Sequence, residues 1–545
     1  MKTKLILCAL IVFTLAAALR LEAKTITTTT ISGFVDISSF GGPLDLSDPV
    51  GPPKPDSQGH LYQAFGTGDS SAAPTLYNGG VAEYSGFGTV VGDWNGDGVI
   101  TQVIVHPFAG GSDGAYASTG VKAAGVQVFG ATSGGGDAGV GVFYALDTGT
   151  GVNMTSSFAA PAAMDVNATE VRVVQNNDGS ENLLFVLVSQ QTGGSKGMGA
   201  VLKMSPSGKL FVQTPVHDFN GDDGEYPIIG EALSFELPLN GQTTVKTAGV
   251  KSNGPIPGAN SYTNYTLYGV TFFGGTNGNG PGTGGYGTVF KVNDDGSGFQ
   301  TFHVFASGQN ATNGYGPAGG MALSGNTLYG TTSGGGKNGT GTLLKIDTSG
   351  SNFMVLKSFS AYGSDSSFNY TNSDGMAPEG DLIISGDTLY GTTLEGGTNG
   401  GGGVVFSVKT NGNNFTVLHS FSNPVNNGSG VYTNSGGGGT RAGLTLTGHV
   451  LFGTTPYGGI YGGGTLFAII LPSPPSLNIK PAGGNFAVSW PSAATNFMLQ
   501  QNLTLNPLTW SNLNGAVNDD GTNKSVSVIP AAGNAFFRLL NTNGP

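Results

Sequence analysis

Between residues 327 and 393 the chain alternates apolar and polar positions in short bursts. TLYGTT (327–332), GTLLKID (341–347), FMVLKSF (353–359), DLIIS (381–385) and a second TLYGTT (388–393) follow one another. Each burst is rich in β-branched, aromatic or aliphatic residues. Each is bounded by Gly, Asn, Asp or Ser, and no apolar spacing of 3.6 runs through them. That pattern predicts short strands joined by turns, four to a unit of about sixty residues.

The unit recurs. A glycine, a small residue and an apolar run appear as GTVV (88–91), GVFY (141–144), GAVL (199–202), GTVF (287–290), GTLL (341–344), GVVF (403–406) and GTLF (464–467). Upstream of five of them stands LYG or a relative: VFG (128–130), LYG (267–269, 328–330 and 389–391) and LFG (451–453). QAFG (63–66) is a weaker version, and in one copy the glycine is replaced by Val186 by pattern or Val188 by spacing. A third element ends in Phe: VIVHPF (103–108), MTSSF (154–158), VQTPVHDF (212–219), FQTFHVF (299–305), FMVLKSF and FTVLHSF (415–421). The last repeat lacks it and runs from GTLFAII into LPSPPS (471–476). A spare copy, GFVDISSF (33–40), precedes the first repeat, with Phe34 and Phe40 placed like Phe353 and Phe359. Complementary truncation of the two ends suits a closed ring; an open solenoid would instead need terminal caps. The expected fold is all-β: a seven-bladed β-propeller over 24–470, closed by an N-terminal strand. FMVLKSF-type strands would then be outermost and DLIIS-type strands innermost.

Composition refines this picture. Glycine accounts for 96 of 545 residues and only 10% are charged, yet 38% are hydrophobic, too many for a disordered linker chain. Glycine loops between packed strands reconcile the two. LPSPPS reads as a linker, and 477–545 carries its own short strands with Trp490 and Trp510 in their core: a small β-sandwich. Residues 1–23, with Lys2 and Lys4 before an apolar run, read as a secretory signal peptide, leaving no integral membrane span after cleavage. Cys8, the only cysteine, would leave with it. A net charge of −12 disfavours nucleic acid. The expected location is secreted, at the cell surface or in the periplasm.

LYGTTSGGGKNGTGTLLKID, with FTVLHSF and DGMAPEGDL, resembles the tandem repeats of secreted proteins of the Gloeobacter/Verrucomicrobia type, strongly over 265–470 and loosely over 60–260. The tail is similar to C-terminal β-sandwich modules on such proteins. The resemblance implies architecture and compartment and supplies no catalytic residues.

Candidate chemistry is sparse. His106, His217, His303 and His419 each stand two residues before the terminal Phe of an outer strand. One slot per blade spreads them too widely for one metal, which points to a structural role. DWNGDG (93–98) has the alternate-oxygen spacing of a calcium loop at Asp93, Asn95 and Asp97, although Ile104 stands where a bidentate Glu would be needed. DFNGDDG (218–224) is a weaker version. GDSSAAP (68–74) has no base or orienting partner nearby, and HExxH, phosphate-loop and dinucleotide motifs are absent. Asp374, Glu379 and Asp381 cluster in DGMAPEGD, where turn and strand-entry roles compete with acid–base chemistry.

The loops between blades and the SGGGKNG-type loops should share one face. There Tyr362, Asn369, Tyr370, Asn372 and Asp374 suit polar recognition, making 306–320, 360–379 and 422–440 the expected ligand loops. Non-enzymatic binding of a polysaccharide or other cell-surface component is the leading reading. An extracellular carbohydrate-active hydrolase or lyase and a purely structural envelope protein stay open beside it.

Overall fold

A computed structural model describes residues 24–28, 34–40, 46–56, 59–68, 78–87, 98–124, 127–137, 139, 141–148, 153–157, 167–174, 184–190, 198–207, 210–228, 232–233, 247–248, 250–255, 263–275, 285–293, 295–305, 311–364, 369–471, 475, 477–482, 485–492, 497–503, 510–513, 515–529 and 535–541. The signal-like segment 1–23 lies outside these. The chain divides into two units, Met1–Ile470 and Leu471–Pro545.

Among the described residues, the first unit is a series of antiparallel sheets of four or five strands, with two-stranded hairpins between some of them. In the sheet richest in the repeat motif the order is Ala322–Ser324, Thr327–Thr332, Thr342–Asp347, Met354–Ser358. The next sheet repeats it with Ile383–Ser385, Thr388–Thr393, Val404–Lys409 and Thr416–Ser420. The Phe-terminated strand is at one edge and the DLIIS-type strand at the other, as the sequence implies. The final sheet draws on both chain ends. Thr445–Thr447, Val450–Thr455 and Thr465–Ile470 come from the last repeat, and Phe34–Ser39 adds the fourth strand. Phe34 pairs with Ile469, Val35 with Ala468 and Ser39 with Thr465. Phe40 N–H donates to Gly464 O at 2.9 Å, and Gly463 N–H to Phe40 O at 3.0 Å.

Two glycine positions explain the repeat. Where the cross-strand residue is aromatic, its ring lies over the glycine of LYG: Gly391 pairs with Phe406, and a Cβ there would lie 2.6 Å from the ring. The glycine opening the next strand, Gly341, has φ +103°, and a Cβ would meet Pro378 of the following repeat at 2.7 Å. One glycine admits a ring and the other admits the neighbouring sheet.

Backbone register corrects three assignments. In the first repeat the strand after the glycine loop is Gly80–Ser85; GTVV (88–91) falls outside the described residues. The LYG position there is held by Gln63, which pairs with Ala82. With a small partner, the slot takes a large side chain: Gln63 is buried, and its Nε2 donates to Val50 O at 2.9 Å and Gly51 O at 3.1 Å. In the third repeat the position belongs to Leu187, opposite Leu202, rather than to Val186 or Val188. Periodicity could not see this, because the slot is defined by cross-strand pairing: Leu202 faces Leu187 where the equivalent Leu344 faces Gly330.

Sheets pack through shared cores. Leu46, Leu61, Phe65 and Ile100 of the first repeat, Phe452 and Leu466 of the last, and Val35, Ile37 and Phe40 form one buried cluster. Phe40 meets Phe65 edge-on at 4.8 Å. Buried Lys54 donates from Nζ to Thr445 Oγ1 at 3.1 Å, and Thr454 Oγ1 donates to Gly51 O at 3.0 Å across the same junction.

The histidine slot forms a second set of junctions. His217 stacks on Phe299 at 3.5 Å, His303 on Phe353 at 4.0 Å and His419 on Phe34 at 3.7 Å, interplanar angles being 5°, 8° and 8°. Where lysine takes the slot, Lys357 Nζ lies 4.2 Å from the Phe415 ring centre. These four slot residues cover the Phe that opens the next outer strand, and Phe34 serves the last repeat as Phe353 serves an inner one. The structural reading of these histidines holds.

The second unit has two sheets, Asn478–Ala482, Asn485–Pro491, Asn523–Val528 and Asn518–Asp519 in one, Ser511–Asn512, Phe497–Asn502 and Phe536–Asn541 in the other. Val488, Trp490 and Val526 of the first and Leu499 of the second form its buried core. Trp510 lies beneath the Arg538 guanidinium at 4.4 Å.

Candidate functional site

The expected ligand residues separate into framework and surface. Asn372 is framework: its Nδ2 donates to Ser360 O at 3.0 Å and Gly375 O at 2.8 Å, and its Oδ1 accepts from Gly375 N at 2.7 Å and Gly397 N at 3.0 Å. All its polar capacity is spent on the chain. Asp374 is buried, with its Oδ2 2.6 Å from Lys357 Nζ and its Oδ1 accepting from Ser360 N at 3.1 Å. Asn369 Oδ1 accepts from Asn423 Nδ2 at 2.9 Å, tying this loop to the next repeat.

Tyr362 and Tyr370 are different. They flank a small hairpin, Gly363–Ser364 with Tyr370–Thr371, and are half exposed at 51% and 49%. Their rings meet edge-to-face at 4.9 Å, a rigid apolar contact surface with hydroxyls at its rim.

The sequence reading missed a second copy. Val425–Asn426 pairs with Tyr432–Thr433, and Tyr432 and Val425 are 58% and 70% exposed. Asn434 repeats the Asn372 clamp, donating to Ser422 O at 2.7 Å and Gly437 O at 2.9 Å and accepting from Gly437 N at 2.7 Å and Gly459 N at 3.0 Å. The signal was present: Tyr-Thr-Asn occurs at both 370–372 and 432–434. The glycine loop of the last repeat adds exposed Tyr457, Ile460 and Tyr461, and a Cβ on Gly462 would lie 2.5 Å from Val431.

The carboxylates before the inner strands are mostly braced. Asp381 Oδ1 accepts from Gly320 N at 2.5 Å in the preceding repeat. Glu379 lies 3.4 Å from Arg441. Burial pushes its pKa up, Arg441 opposes this, and Glu395 adds to the rise. In DFNGDDG, Asp223 accepts from Asn220 N at 2.9 Å and lies 3.1 Å from His217 Nε2, so its carboxylate ties loop to strand. His106 and Asp113 make the same pair at 2.9 Å. Among the described residues no group of three or more His, Cys, Asp or Glu could hold a metal. Asp93, Asn95 and Asp97 lie outside them. Among the described residues, too, no helix is long and apolar enough to cross a membrane.

A family model matches residues 281–529, a stretch holding the last repeats of the first unit and part of the second. This stretch carries the Gloeobacter/Verrucomicrobia repeat. No curated protein matches the chain. Solved structures that it is similar to include the tricorn protease, at 11% identity and a TM-score of 0.30, with 68% of this chain and 29% of that one covered. The β-propeller domain of the Trilobed protease from Pyrococcus furiosus is 8% identical with a TM-score of 0.38, covering 79% and 94%. The xyloglucanase from Xanthomonas campestris is 10% identical with a TM-score of 0.38, covering 86% and 59%. The chain therefore spans under a third of the tricorn protease and under two thirds of the xyloglucanase.

Proposed function

We propose that the protein is a secreted, non-enzymatic binding protein that displays a glycan-recognition surface on a seven-bladed β-propeller, its ring closed by Phe34–Ser39. The exposed Tyr362–Tyr370 pair on a clamped hairpin carries the binding reading. Packed tyrosines offer large contact area at small entropic cost, which suits saturated, hydroxyl-rich ligands. Closure draws support from the core shared by the first and last repeats and from the Phe34–His419 stack. Secretion draws on the charged and apolar start of the chain. Binding of the mature protein to immobilised polysaccharides, with a parallel screen for released sugars, tests this reading. Capture without hydrolysis is the expected result, and hydrolysis or absence of capture overturns it.

A carbohydrate-active hydrolase is the second reading, favoured by one observation. A partly buried carboxyl with a raised pKa beside a second carboxylate, Glu379 near Glu395, is the chemistry of an acid–base pair. Loss of released sugar on Glu379→Gln would establish it.

A further inference from the structure

We infer that the paired strands Gly363–Ser364 with Tyr370–Thr371 and Val425–Asn426 with Tyr432–Thr433 frame two consecutive copies of one ligand-reading element, and that their ligand is an uncharged polysaccharide long enough to engage both. This rests on the glycan-binding reading above and deepens it.

Three observations carry it. First, the hairpins are equivalent: each presents an exposed Tyr two residues before an Asn that makes the same four backbone bonds. Identical clamps fix both tyrosines relative to their repeats before any ligand arrives. Preorganisation of this kind lowers the entropic cost of binding.

Second, the copies are joined. The Asn423–Asn369 bond links the entry of the second hairpin to the exit of the first, and Val431 packs against the glycine loop bearing Tyr461 and Ile460. The exposed side chains Tyr362, Tyr370, Val425, Tyr432, Ile460 and Tyr461 are therefore set on neighbouring, mutually braced loops.

Third, the second hairpin and the glycine loop beside it lack charge. Segments 422–437 and 456–463 hold no Asp, Glu, Lys or Arg, and the first hairpin adds only the acidic Asp365. An anionic polymer would find no counter-ion there and would also meet the chain's net charge of −12. What is offered is tyrosine rings, apolar edges and amides. In the second hairpin Asn426 Oδ1 accepts from Gly428 N at 2.8 Å and Asn427 Oδ1 from Ser429 N at 2.9 Å, holding both carboxamides in place. Neutral sugars present the complement: apolar ring faces and uncharged hydroxyls. Two copies of one reading element suit a ligand that itself repeats, because the second contact forms at high effective concentration.

The test uses the full mature chain and its Tyr370→Ala, Tyr432→Ala and double variants, with melting temperatures as folding controls. Probes are xylan, mannan, laminarin and cellulose, with alginate and pectate as anionic comparisons and a length series of oligosaccharides from any bound polymer. A neutral polymer should bind, with each single variant weakening it about tenfold and the double variant about a hundredfold or more. Short oligosaccharides should lose little from either single substitution, because one element remains. Glycan binding unaffected by both tyrosines would overturn this inference and leave the glycan reading standing. Preference for alginate or pectate would overturn the uncharged-ligand assignment alone. Binding to no glycan would remove both readings. A dimer in sedimentation that Tyr432→Ala abolishes would reassign the surface to self-association.

Discussion

Acid should loosen the junctions made by His303 and His419 while leaving a matched variant unmoved. Both imidazoles lie flat on a phenylalanine, and burial pushes each pKa down to about 4. The Nε2 of His303 is buried with no hydrogen-bond partner, so a proton there gains nothing. The folded value lies below the ordinary one of about 6.5, and protonation therefore favours the unfolded chain. The stabilisation is intact above about pH 6.5, is lost as pH falls from about 6.5 to about 4, and changes no further below that. At pH 5 linkage gives about 2 kcal/mol per histidine, and allowing for partial solvent contact about 1–1.5. Together they would remove about 2–3 kcal/mol, a large share of a typical stability of about 5–15 kcal/mol. Denaturant melts of the parent and of His303→Gln/His419→Gln between pH 7.5 and 4.5 check this. The parent should lose more stability across that range than the double variant, which still carries every carboxylate. Equal losses, or an NMR titration placing either imidazole near 6.5, would refute the reasoning.

A chain beginning at Gly41 lacks the strand that pairs with Thr465–Ile470 and should aggregate or melt well below one beginning at Lys24; equal melting would sink the closure reading. Phe34→Ala should cost about 2–4 kcal/mol in a denaturant melt and move the His419 titration upward, because the ring covering that imidazole is gone. Asp374→Asn should destabilise by about 1–3 kcal/mol in the same assay, since it leaves the Lys357 ammonium without its buried carboxylate, yet leave polysaccharide capture intact. If calcium sits at Asp93, Asn95 and Asp97, chelation lowers the melting temperature and Asp93→Ala removes that response; indifference to chelator ends the proposal.

Much of the strand pattern was readable because period-two bursts and glycine boundaries report local geometry directly. The pairing of Phe34–Ser39 with the last repeat was readable too, because a missing strand at one end matched a spare at the other. Gln63 and Leu187 were not, since which residue fills the LYG slot shows only in its pairing with Ala82 or Leu202 across the sheet, which a linear pattern does not report. In the surface loops the residue types were legible but their roles were not. Asn372 and Tyr370 are two positions apart and equally polar in sequence terms, yet one is consumed by four backbone bonds and the other faces solvent. Only the fate of each donor and acceptor separates a clamp from a contact.

The strand Phe34–Ser39 is made long before its partner Thr465–Ile470. No nascent chain that stops short of Thr465 can satisfy its hydrogen bonds. Local sheets such as Thr327–Thr332 with Thr342–Asp347 can form as soon as they emerge, but the junction between the ends waits for the whole array, the slow long-range step of such a topology. Until then the early strand is an unpaired, partly apolar edge. A protein built this way has its greatest need of protection during synthesis, and loses that need in one step when the final repeat arrives.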